Sequence, residues 1–180
     1  IDKFYNFRQE VLMLNSVSAH PNIISLNGVQ INPKLKIIME YAPYGSLYDR
    51  LYDKCKPDLN RLLIYRIAYQ LSDALKFFHG RGILHRDLKP ENIVLFSDNI
   101  YEDINVKIID FGTANFMSPR GMAVLTGTAR YQAPEMLIGK SAYTQPVDIW
   151  CVALVLYEML NLKIPFQEYD NKDLEEYLKV

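Results

Sequence analysis

The chain has 180 residues, 49% hydrophobic and 23% charged, with a formal net charge of −1. That leaves ample apolar content for a packed core, and the near-balanced charge gives no general reason to expect nucleic acid or an anionic membrane as a partner. The two cysteines, Cys55 and Cys151, are too few for a disulfide framework and lack metal-ligand spacing, so reduced thiols in an intracellular, cytoplasmic setting are expected.

Phe4, Phe7, Val11 and Leu14 recur at close to helical spacing, which predicts a first helix, broken by Pro21 in "HPNII". The apolar runs Ile23 to Val29 and Leu35 to Tyr41, with "NPK" between them, predict a β-hairpin. "APYGSLYDRL" carries the breakers Pro43 and Gly45. Ser46, with Asp49 three residues later, then reads as a variant capping box that opens a helix. Leu63, Ile67, Leu71, Ala74, Leu75 and Phe78 share one stripe, which predicts a long amphipathic helix over Leu62 to Phe78, stopped by Gly80.

The stretch "GILHRDLKPENIVLF", Gly82 to Phe96, sets six polar or charged groups within eight positions between two apolar runs that read as strands. Val106 to Ile109 is predicted as a short apolar strand, and Thr113 to Tyr131 as a loop long enough to be functional. "VDIWCVALVLYEML", Val147 to Leu160, is the most apolar window. It is too short to span a bilayer and carries Asp148 and Glu158, so it reads as a buried core helix. Strands gathered toward one end, with mostly helices after them, predict an α+β fold in two unequal lobes. The chain starts at Ile1 and stops at Val180 inside helical patterns, so both ends read as cut and the chain as a fragment.

"HRDLKPEN" at 85–92, "DFG" at Asp110 to Gly112 and "APE" at Ala133 to Glu135 stand in this order on loops beside apolar runs. Together they closely resemble the signature set of the eukaryotic-type protein kinases. The form "DLKPEN", with Gly127 and Thr128 downstream, is similar to the serine/threonine type. The resemblance implies a bilobal α+β kinase-like fold truncated at both ends, with a partial N-lobe over residues 1–41 and a partial C-lobe over 42–180.

Further positions follow from the resemblance. "FRQEVLMLNSVSAHPNII" looks like the family's mobile N-lobe helix, with Glu10 where the partner of an ATP-binding lysine stands. "IIMEYAPYGSL" looks like the hinge. There Met39 would be the gatekeeper and the backbone of Glu40 and Ala42 would meet adenine, which Val94 would also touch. Asp49 is either a helix cap only or also a ribose contact. No Gly-rich loop and no strand lysine precede Glu10, so this stretch alone is expected to be inactive, poorly stable and to expose apolar faces. The long acidic insert "FSDNIYEDINVKIID" is similar to that of tyrosine-kinase-like serine/threonine kinases, including the Roco type.

The chemistry implied is transfer of the ATP γ-phosphate to Ser or Thr hydroxyls of protein substrates, with Mg²⁺. Such transfer asks for positioning and for positive charge near the phosphates. Asp87 would accept or orient the proton of the attacking hydroxyl, and Lys89, on the same side of an extended segment, would neutralise charge on the phosphoryl group. Asn92 and Asp110 would give oxygen ligands to Mg²⁺. Thr128 would bond both Asp87 and Lys89. Asp148 would accept backbone N–H groups of the catalytic loop, while His85 would pack in a spine with Phe111, Leu14 and Leu26. Arg86 is either an ordinary surface cation or the partner of a phosphate placed on Ser118 or Thr126 by an upstream activating kinase; an unmodified loop is the alternative. A kinase-fold interaction module without transfer, a pseudokinase, is the second functional reading.

Overall fold

The structure is a computed structural model that describes residues 2–124, 126–138 and 142–178. Ile1 and Val180, where the sequence reading set the cut ends, lie outside the described residues.

Helix α1 (Asp2–Val17) buries Met13, Leu14 and Val17 but leaves Phe4 53% exposed, so the predicted apolar face is covered only in its second half. The reason is size. Sixteen helical residues run about 24 Å, whereas a two-stranded sheet is only about 10 Å wide. That sheet is the predicted hairpin: β1 (Leu26–Gln30) pairs antiparallel with β2 (Lys36–Met39), from Leu26 opposite Met39 to Gln30 opposite Lys36.

Helix α2 (Leu47–Tyr52) begins at a complete capping box: Asp49 N–H donates to the Ser46 hydroxyl at 3.0 Å, and Ser46 N–H donates to the Asp49 carboxylate at 3.3 Å. Helix α3 (Arg61–His79) is capped by the Asn60 side chain and ends at Gly80, whose N–H reaches Lys76 O. It buries every residue of the predicted stripe, from Leu63 to Phe78.

Two short strands follow, β3 (Ile83–Leu84) and β4 (Ile93–Leu95), joined through a 3₁₀ turn at Pro90–Asn92. They flank the polar stretch as expected but do not pair with each other. β3 pairs with β6 (Asn115–Phe116), and β4 pairs with β5 (Val106–Ile108). Each half of the stretch is thus stapled to a different downstream segment. β5 is not wholly apolar, because Lys107 lies within it, buried and paired with Glu40.

The predicted loop from Thr113 to Tyr131 carries more structure than its composition announced: β6, a 3₁₀ turn at Ala129–Tyr131, and a bridge from Met122 to Tyr143. Helix α4 (Pro134–Ile138) leads to α5 (Pro146–Asn161), and α6 (Asn171–Leu178) follows. α5 is a core helix, as expected, but it is buried on one face only. Val147, Asp148, Cys151, Val152, Val155, Glu158 and Met159 face inward, while Ile149 and Leu160 are 55% and 62% exposed. The core lies between α3 and α5 and continues under β4, β5 and the end of α1. Among the described residues no helix is long and apolar enough to cross a membrane.

Candidate active site

The polar loop is held from below by one carboxylate. Asp148, in the first turn of α5 and fully buried, accepts His85 N–H at 3.0 Å and Arg86 N–H at 2.8 Å. His79 Nε2 lies 2.7 Å from the same carboxylate. Three donors satisfy a charge that would otherwise be prohibitive to bury. This is the structural role expected of Asp148; His79, as its third partner, carried no signal in the sequence.

His85 is likewise a core group. Its ring meets Phe111 edge-on at 4.8 Å, Nε2 donates to Ile109 O at 3.0 Å, and Nδ1 accepts Asp87 N–H at 3.3 Å. One nitrogen donates and the other accepts, so the imidazole is neutral. Burial pushes its pKa below the ordinary histidine value, in the same sense. Leu14 is buried and Leu26 packs on the same core.

Above this base sits a tight polar cluster. Asp87 Oδ1 accepts both N–H and hydroxyl of Thr128, at 2.8 and 2.7 Å. Asp87 Oδ2 lies 3.1 Å from Lys89 Nζ and accepts from Asn92 Nδ2 at 3.2 Å. Lys89 Nζ donates to the Thr128 hydroxyl at 2.6 Å. The close approach of the 127–128 segment requires glycine. Gly127 has φ 98°, and a Cβ there would fall 2.3 Å from Arg86 O.

Asp110 is brought alongside by the β4–β5 pairing, which continues as Ile109 N–H donating to Asn92 O at 2.9 Å. Arg86 and Asp110 hold left-handed backbone, φ 69° and 61°, uncommon for non-glycine residues and concentrated at working sites. Asp110 Oδ1 accepts Gly112 N–H at 3.1 Å, leaving Oδ2. Asn92 spends Nδ2 on Asp87, leaving its amide oxygen. One carboxylate oxygen and one amide oxygen are of the type that makes up the small protein ligand set of Mg²⁺.

Glu10 of α1 reaches this region: a Cβ on Gly112 would lie 3.8 Å from its carboxylate. Burial first, then the neighbouring Asp110 charge, pushes the Glu10 pKa above the usual carboxylate value.

The hinge residues line the next edge. Met39 ends β2, partly exposed. Glu40 N–H is spent on Ser25 O at 3.2 Å, so the backbone group it can offer a ligand is its carbonyl. Its side chain bonds Lys107 Nζ and Ser25 N–H, both at 2.6 Å. Burial alone would raise the Glu40 pKa, but these bonds outweigh it and hold the carboxyl low. Ala42 O accepts Gly45 N–H at 3.5 Å, and half-buried Val94 is bridged to Ser46, which brings the two stretches together. Asp49 makes the helix cap, which both readings of this residue include.

Arg86 turns toward the 113–131 segment. It donates to Thr113 O at 2.8 Å and to the Tyr143 hydroxyl at 3.3 Å, and no carboxylate pairs with it among the described residues. Tyr143 in turn donates to Val124 O. Ser118 is exposed, its hydroxyl donating to Gly121 O, and Thr126 O accepts Gln132 Nε2 at 2.9 Å. Sequence reasoning missed Tyr143, and also Glu158, which accepts Tyr52 OH at 2.8 Å and Tyr131 OH. Those partners stand 106 and 27 positions away, beyond any local pattern.

Comparison with known proteins agrees with this geometry. The family described as "Protein kinase domain" matches residues 2–179. Leucine-rich repeat serine/threonine-protein kinase 1 of Mus musculus is 37% identical over 166 residues, covering 90% of this chain and 8% of the relative. Aurora kinase of Eremothecium gossypii is 37% identical over 171 residues, 93% of this chain and 44% of the relative. NUAK family SNF1-like kinase 2 of Rattus norvegicus is 35% identical over 171 residues, 94% and 26% respectively. The chain thus spans less than half the length of these curated relatives, and its identities to the first two are equal.

Proposed function

Because this chain belongs to the protein kinase domain family, we propose that the protein containing it is a serine/threonine kinase that moves the γ-phosphoryl group of ATP to Ser or Thr hydroxyls of other proteins. The observation that carries the reading is the cluster in which Thr128 bonds Asp87 and Lys89 together while Asn92 bonds the far Asp87 oxygen. A substrate hydroxyl oxygen attacks the γ-phosphorus, the bond to the bridging oxygen breaks, ADP departs, and the hydroxyl proton passes to Asp87. Lys89 sits 3.1 Å from Asp87, close enough to serve both the carboxylate and the charge on the phosphoryl group.

Mg²⁺, when bound, supplies charge neutralisation at the phosphates, and Asp110 and Asn92 would hold it. Glu10 would meet a cation in the cleft. Burial first, and then the Asp110 charge, raise its pKa, and a nearby ammonium would act in the opposite sense. Adenine would lie against Met39, Ala42 and Val94, with the Glu40 carbonyl as acceptor. Arg86 would pair with a phosphate placed on Ser118 or Thr126. An intracellular setting fits an exposed Cys55 and a buried Cys151, which are both free thiols. No observation favours the alternative of a kinase fold without transfer.

The test is phosphate transfer from ATP to a generic Ser/Thr substrate by the full-length protein. Asp87→Ala is expected to slow it by about 10²–10⁴-fold. Equal incorporation by both proteins would overturn the role of Asp87.

A further inference from the structure

Arg50 is a buried cation that the chemistry above does not use. It lies in α2 and is only 7% exposed. Of its five guanidinium N–H groups, one makes a hydrogen bond among the described residues, from Nη1 to Pro57 O at 3.1 Å. Nε is buried with no partner, and no carboxylate among the described residues lies within ion-pair distance. Lys107, buried to the same degree, has Glu40 at 2.6 Å. A buried charge left without a counter-charge marks a site that something else completes.

Arg50 lines a cavity of about 370 Å³ whose wall also carries Lys54 and Lys56, with Leu59 and Leu162 as its apolar part. Asp53 and Asp58 stand on the same wall but are exposed, and Asp53 Oδ1 is taken up by Cys55 N–H at 2.9 Å. Water screens the exposed acids and lysines alike and the buried arginine least, so a wall of three cations and two acids is positive on balance.

We propose that this cavity binds a phosphate-class oxyanion, with Arg50 as its anchor and Lys54 and Lys56 as its rim cations. The guanidinium fork meets two oxygens of a tetrahedral group at once, and the lysines meet the others as point charges. The volume admits the ion together with an ester substituent, so the phosphate is either free or carried by a phosphorylated protein side chain. The inference is independent of phosphoryl transfer, because neither Arg50 nor the lysines belong to the cluster around Asp87.

Calorimetric titration of the full-length protein, without nucleotide, tests it with two probes: inorganic phosphate and a phosphoserine peptide, the unphosphorylated peptide serving as control. Saturable binding of phosphate is expected, lost in Arg50→Gln. The double variant Lys54→Ala/Lys56→Ala alters exposed positions only, so it keeps the fold, and it is expected to bind about tenfold more weakly. Tighter binding of the phosphopeptide assigns the site to protein-borne phosphate; binding of the free ion alone assigns it to inorganic phosphate. No saturable binding, or binding unchanged in the double-lysine variant, would overturn the site, since phosphate held elsewhere does not depend on those lysines.

Discussion

At the scale of single residues, the molecule spends its buried charges in two ways. Asp148 is fully satisfied and positions other groups. Glu158 is different. It is held by the hydroxyls of Tyr52 and Tyr131, yet its pKa lies above the ordinary 4.5, because burial outweighs those two bonds. A raised folded-state value means that the folded chain binds this proton more tightly than the unfolded chain does. The associated stability is complete below 4.5 and declines as pH rises through the raised value. Glu158→Gln keeps an acceptor for the tyrosines but cannot titrate. Unfolding free energies measured by urea from pH 4 to 8 should therefore fall less with rising pH in the variant than in the parent. Parallel curves would contradict this. Asp87, Lys89, Asn92 and Asp110 were legible from sequence because one short motif and one tripeptide carry them. His79, which bonds Asp148, and Tyr143, which bonds Arg86, were not, since nothing local distinguishes an anchoring histidine or tyrosine from any other.

At the scale of elements, the ends of helices were read best, because caps are local chemistry. The Ser46–Asp49 box was visible as a spacing and is present as reciprocal bonds. Ser46→Ala is expected to cost about 0.5–2 kcal/mol, seen as a lower midpoint in chemical denaturation with unchanged slope. The glycine of the 127–128 segment is a sharper case. Gly127→Ala places a methyl 2.3 Å from Arg86 O at a φ of 98°. The segment must move, and Thr128 then loses Asp87. A stability loss of about 1–3 kcal/mol is expected, with slowed transfer. Gly82→Ala is the control. Its φ is also positive, at 70°, but nothing lies within 4 Å of the added methyl. Only the backbone cost of about 1–2 kcal/mol should appear there, with activity retained. Equal kinetic effects of the two substitutions would refute the steric account. The strand pairs show where local reading failed. β3 and β4 lie near each other in sequence, yet each pairs with a later strand, because the loop between them is tied down by Asp148 and Thr128 rather than closed as a hairpin.

At the scale of the whole molecule, apolar surface remains uncovered at both ends of the fold. Val29, Ile31 and Ile38 are exposed on and beside the β1–β2 sheet, and Ile149, Tyr157 and Leu160 along α5. Patches of this kind drive association in water. The chain produced by itself should show concentration-dependent self-association in sedimentation velocity; a single monomeric species across a hundredfold concentration range, roughly micromolar upward, would show the faces to be inert. What the sequence determined by itself was whatever depends on neighbours along the chain: helix stripes, caps, the turn residues, and the ordered motifs that name the chemistry. The tertiary structure alone decided that β3 and β4 pair with later strands rather than with each other, and which face of α5 is buried. It also decided that Arg50 is enclosed with no counter-charge among the described residues. These outcomes join residues tens of positions apart. They are set by packing and by the need to pair every buried donor and charge, a condition that no local stretch of sequence expresses.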